Sequence, residues 1–80
     1  MPPRLPQVSG DTLVGLLRKL GYVVARQRGS HIQLLKKTTS GTHHITVPAH
    51  KAVAKGTLND ILSKVSIWNG ISKEDLLNRL

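Results

Sequence analysis

Residues 22–37 read YVVARQRGSHIQLLKK, two runs of β-forming and apolar residues on either side of a Gly-Ser pair. The residue types and the turn chemistry of Gly29 and Ser30 predict a β-hairpin, and the rest of the fold is read outward from it. Upstream, SGDTLVGLLRKLG sets Leu13, Leu16, Leu17 and Leu20 at the spacing of one helix face, with Ser9 or Asp11 as cap and Gly21 as stop. Downstream, TTSGTH reads as a turn and HITVP as a third strand ended by Pro48. A loop, AHKAVAKG, leads to a second helix with Thr57 expected as its N-cap, Asp60 three residues on, and Leu58, Ile61, Leu62 and Val65 as its buried face. Asn69-Gly70 breaks that helix, and Ser72 caps a short third one with Leu76, Leu77 and Leu80 apolar. Tyr22 and Trp68 are expected in the core. The three prolines of MPPRLPQ make residues 1–8 an extended N-terminal tail, leaving residues 9–80 as a single domain.

The order α-β-β-β-α-α defines an α+β protein of two layers, with both main helices on one face of a three-stranded antiparallel sheet and the other face open. Side chains alternate across a strand. Ile32, Leu34, Ile45 and Val47 are therefore expected to point beneath the helices, and His31, Gln33, His44 and Thr46 to the open face.

Eighty residues limit the chain to one small core. Twelve Lys and Arg against four Asp and Glu give a formal charge of +8, which calls for a polyanionic partner such as nucleic acid or an acidic protein. The absence of cysteine excludes a disulfide framework, a zinc knuckle and a thiol nucleophile. No stretch approaches the roughly 20 apolar residues of a membrane span, and no signal peptide is legible, so a soluble, cytoplasmic protein is expected.

His31 stands between the basic turn and the second strand. A structural histidine is the plain reading of such a position, but its neighbours alter it. Arg26 and Arg28 disfavour a further positive charge on the ring, which leaves a base in waiting. Cutting RNA requires a base for the 2′-hydroxyl proton, an acid for the leaving 5′-oxygen and cations for the phosphate. His31 with two arginines meets much of that requirement without a metal or other cofactor.

Three segments, GYVVARQRGSHIQLL, HITVPAHKAVAKGTLNDIL and SKEDLLNRL, together resemble the HicA (YcfA-like) toxins over roughly residues 8 to 80. The specific parts are Gly29-Ser30-His31, Val47-Pro48-x-His50 and Gly56-Thr57-Leu58. The resemblance implies a fold like that of double-stranded-RNA-binding domains and a ribosome-independent endoribonuclease acting on messenger RNA. It implies His31 as the catalytic histidine and a HicB antitoxin that covers the site. The chain departs from the pattern in AVAK before Gly56 and in Asp60, where relatives often carry more positive charge.

RNA contacts are expected from Arg26, Arg28, Ser30, Lys36 and Lys37 of the hairpin and from His50, Lys51 and Lys55 of the later loop and helix. His50 is weighed between holding its loop and serving as second acid or RNA contact. His43, His44 and His50 make a poor metal site, lacking Cys or a partnering carboxylate, and Ser30 lacks an orienting acid for nucleophilic work. With Tyr22 and Trp68 the only large aromatics, base stacking has little support. A noncatalytic RNA-binding domain and a basic module for an acidic protein remain as alternatives; direct DNA binding and membrane association are not expected.

Overall fold

The computed structural model describes residues 5–80. Helix α1 spans Gly10–Lys19, strands β1, β2 and β3 span Val23–Arg28, His31–Thr38 and Gly41–Pro48, and helices α2 and α3 span Lys55–Asn69 and Lys73–Asn78. The strands form one antiparallel sheet in the order β1-β2-β3. Both longer helices lie on one face, α1 against β1 and β3 and α2 against β3, while α3 packs on α2. The α+β, two-layer expectation holds.

Local chemistry accounts for most of the boundaries. Ser9 caps α1 by accepting from the Thr12 amide at 3.1 Å. Ser72 does the same for α3 through the Asp75 amide. Gly70 closes α2 in the left-handed conformation, φ 62°, a backbone state that glycine adopts without a Cβ penalty. The core is Leu13, Leu16 and Leu17 from α1, Ile32, Leu34, Ile45 and Val47 from the sheet, and Leu58, Ile61, Leu62 and Val65 from α2, closed by Tyr22 and Leu76.

Three expectations need correction. β3 begins at Gly41, not at His44, because Thr38 pairs with Gly41 and only Thr39 and Ser40 remain to turn the chain. The Thr38 hydroxyl holds that turn, donating to the Gly41 carbonyl and accepting from the Ser40 amide. Earlier strand entry puts His43 in phase with Ile45 and Val47, and it is buried. Thr57 is not the cap of α2. The helix starts three residues sooner, with Ala54 at the cap position and no side-chain cap bond. Trp68 is not core either: it remains 38% exposed and stacks on His43, ring centroids 4.8 Å apart and planes 4° apart. β1 contributes no buried residue, being an edge strand whose every position is exposed.

Of the expected N-terminal tail, residues 1–4 lie outside the described residues. Leu5 and Val8 pack on the core, and the Val8 carbonyl accepts from the Val53 amide at 2.8 Å.

Candidate nucleic-acid and catalytic site

The open face is assembled row by row across the strands. Arg28 pairs with His31 and His31 with Pro48; one row further, Arg26 pairs with Gln33 and Gln33 with Thr46. Paired residues in an antiparallel sheet project to the same side. The rows therefore bring Arg26, Arg28, His31, Gln33 and Thr46 onto one surface, and all five are exposed. The two arginines reach it through a β-bulge. The register shifts between Val24 and Arg26, so Ala25 is the extra residue. Were Ala25 paired in an unshifted register, Arg26 would fall opposite Ile32 and face the helices; the bulge re-aims both arginines to the open side.

The hairpin turn sets His31 at the first position of β2. Gly29 has φ 55°, which suits glycine at a two-residue turn. The loop after β3 is then laced to this turn and to the rest of the fold by backbone bonds. Ala49 donates to the Ser30 carbonyl at 2.6 Å, the His50 carbonyl accepts from Gly10 at 2.8 Å, and Val53 donates to Val8. These three points fix the segment that carries His50.

Between loop and sheet lies an open hollow of about 320 Å³ lined by His31, Thr46, Pro48, His50, Ala54 and Thr57. Its two titratable side chains are histidines 31 and 50. The start of α2 borders it through Ala54 and Thr57, and that helix end has no side-chain cap. The first-turn amides of a helix are intrinsically unpaired and electropositive, and so favour an anion. The hollow thus joins two imidazoles to a helix N-terminus suited to phosphate.

The expected RNA contacts separate by position. Arg26, Arg28 and Lys37 share the open face with His31, Lys37 by its pairing with Thr42. Ser30 sits in the turn, where its carbonyl is already engaged by Ala49. Lys51 and Lys55 are exposed on the loop and at the first residue of α2, next in sequence to hollow residues His50 and Ala54. Lys36 stands apart. It is in phase with Ile32 and Leu34, half-buried, and its ammonium donates to Asn69 Oδ1 while lying 5.8 Å from the Tyr22 ring centre. Asp60, the acidic departure on α2, is paired with Lys64 at 2.9 Å.

His43 and His44 project to opposite faces of β3, one buried and one exposed. Burial first, then the nearby His44 and Lys64, hold the His43 ring below the ordinary histidine range. Among the described residues no three His, Cys, Asp or Glu side chains converge as metal ligands, and no helix is long and apolar enough to cross a membrane. Sequence reading missed Thr46 and Thr57 as lining residues. The sequence suits Thr57 to capping, and only the earlier start of α2 frees its side chain for the hollow.

A family model described as the HicA toxin of bacterial toxin-antitoxin systems matches residues 10–67, from the first residue of α1 almost to the end of α2. No curated protein and no solved structure matches the chain.

Proposed function

The chain belongs to the HicA toxin family, the toxin half of a bacterial toxin-antitoxin pair, and from that membership and the two-histidine hollow we propose that it is a ribosome-independent messenger-RNA endonuclease. The observation that carries the reading is that His31 and His50, far apart in sequence, line one hollow on the cationic face. Imidazole changes charge near neutral pH, so one ring can accept a proton while another donates one.

In the proposed reaction His31 takes the proton of a 2′-hydroxyl as its oxygen attacks the adjacent phosphorus. The P–O5′ bond breaks, His50 supplies the proton to the leaving 5′-oxygen, and a 2′,3′-cyclic phosphate and a 5′-hydroxyl result. Arg28, in the same row as His31, and the start of α2 steady the charge on the phosphate. Lys37, Lys51 and Lys55 hold neighbouring phosphates and Arg26 contacts the RNA beside them, as expected for an RNA-binding surface of the double-stranded-RNA-binding-domain kind. The proton transfers use side chains alone, and the site of action is the cytoplasm.

A toxin of this family implies a cognate antitoxin. We assign that partner to the HicB type, covering the open face and denying it to RNA by shape and charge. The test is incubation of folded wild type and His31→Ala with a structured messenger RNA in chelator, followed by a denaturing gel. Cleavage by the wild type alone is the expected result; equal cleavage by both removes His31 from the chemistry, and bound but intact RNA favours a noncatalytic RNA-binding domain.

A further inference from the structure

The open face carries a second recess, of about 420 Å³, whose residues have no part in the proton transfers above. Arg26, Gln33, Leu35, His44 and Thr46 line it. Register explains the set. Arg26, Gln33 and Thr46 form one row across the three strands, and Leu35 pairs with His44 in the next. Thr46 lines both this recess and the His31 hollow, so the two adjoin at that residue. Rows on one face are two residues apart, about 6.5 Å along a strand. That step is comparable with one nucleotide of an extended RNA chain.

The chemistry of the recess suits a base more than a phosphate. Single-stranded RNA is read by stacking splayed bases on aromatic or imidazole rings and guanidinium planes and by hydrogen bonds to their edges. His44 and Arg26 offer the two planes, and Leu35 an apolar floor. The Gln33 carboxamide sets a donor beside an acceptor, the arrangement a base edge requires, and the Thr46 hydroxyl can do either. Among the described residues none of these polar side chains is held by a side-chain hydrogen bond or ion pair. The scarcity of Tyr and Trp on this face is thus offset by a ring and a plane of other kinds.

We propose that this recess holds the nucleobase adjoining the scissile phosphodiester, its plane against His44 and Arg26 and its edge on Gln33 and Thr46, and that it makes cleavage base-selective. The assignment of the scissile bond rests on the nuclease reading of the His31 hollow. The base site itself does not.

Two measurements made in parallel separate the two claims. In the first, an RNA pool randomised over a short window is digested to low extent and the cut ends are sequenced. Wild type is expected to favour one base at one position beside the cut by roughly five- to tenfold, the worth of about one net hydrogen bond. Gln33→Leu and Thr46→Val, both at exposed positions and checked for folding by circular dichroism, are expected to flatten that profile. A wild-type profile without base preference, or variant profiles matching the wild type, overturns the proposal. In the second, fluorescence anisotropy follows the binding of four short single-stranded RNAs that differ at one base. If the wild type cuts nothing, the nuclease reading fails; a base preference in binding that Gln33→Leu removes still upholds the recess as a base site. Equal binding of all four RNAs overturns it.

Discussion

The Tyr22 hydroxyl lies 2.6 Å from Nδ1 of His43, 21 residues away in the chain, in a buried contact between the residue before β1 and the middle of β3. The direction of the bond follows from its neighbours. Asn69 Nδ2 donates to the same hydroxyl at 3.1 Å, so the tyrosine proton is directed to His43 Nδ1 and the ring carries its own proton on Nε2. Asn69 also donates to the Val65 carbonyl and accepts from Lys36, and Trp68 stacks on the imidazole. This polar chain ties the sheet to the C-terminal end of α2, where the apolar core is thinning out.

Removal of the central hydroxyl is therefore costly. Tyr22→Phe leaves His43 Nδ1 without its donor and one Asn69 amide proton without its acceptor, in a site largely closed to water. An unsatisfied buried polar group costs about 1–3 kcal/mol. Urea unfolding at neutral pH should show a lower midpoint by that amount with an unchanged slope, since the core surface exposed on unfolding is the same.

Acid should destabilise the protein through His43. Burial, followed by His44 and Lys64, depresses the affinity of its ring for a proton in the folded state, whereas an unfolded histidine titrates near 6.5. Below about pH 6.5 the unfolded chain therefore binds a proton that the folded chain does not, and stability falls as pH drops until the folded ring also titrates. Protonation would moreover make Nδ1 a donor facing the tyrosine hydroxyl and leave that hydroxyl's proton with no acceptor. Urea midpoints followed by Trp68 emission should decline from pH 7 to pH 5 in the wild type, and His43→Gln should show a flatter decline over the same interval.

Much of this was legible because the sequence patterns correspond to one strong physical effect each. The leucines of α1 and α2, the Ser9 and Ser72 caps and the alternation from Ile32 to Leu34 and from Ile45 to Val47 follow directly from burial and capping. The parts that were not legible arise from competition between effects. His43 is polar and sits beside a Gly-containing turn, so only the pairing of Thr38 with Gly41 reveals that it is a strand residue facing inward. Ala25 carries no sign of a bulge, yet that bulge decides where Arg26 and Arg28 point. The meeting of His31 and His50 depends on the backbone bonds of Ala49, His50 and Val53, which no side-chain pattern encodes.

Two adjacent lysines should behave differently. Lys37 is exposed on the open face, whereas Lys36 points to the helix side and is bonded to Asn69. Lys37→Ala should weaken RNA binding and lower its salt slope by about 1, the signature of one lost phosphate contact. Lys36→Ala should leave the salt slope alone and reduce stability by about 1–2 kcal/mol through its lost charged hydrogen bond. Binding titrations at several salt concentrations, paired with urea unfolding of each variant, distinguish the two.

Two glycines of α1 give the sharpest test of how the fold holds the site. Gly10 is buried at the start of the helix, and a Cβ there would run into the Pro48 carbonyl oxygen and come within 3.0 Å of the Ala49 Cα. Neither neighbour is a flexible side-chain end, so the backbone itself must move. Gly10→Ala should cost about 1–3 kcal/mol, the usual range for forced overpacking. Gly15, exposed in the middle of the same helix, has nothing within 4 Å of its Cβ position, and Gly15→Ala should stabilise by about 0.5–1 kcal/mol. The two variants also separate stability from activity. Gly10 donates to the His50 carbonyl, so displacement of Pro48 and Ala49 shifts His50 relative to His31. RNA cleavage measured at a temperature where both variants are fully folded should therefore fall in Gly10→Ala and match the wild type in Gly15→Ala. Equal cleavage by Gly10→Ala would mean that the position of this loop does not matter to the reaction, and His50 would lose its place as the proton donor.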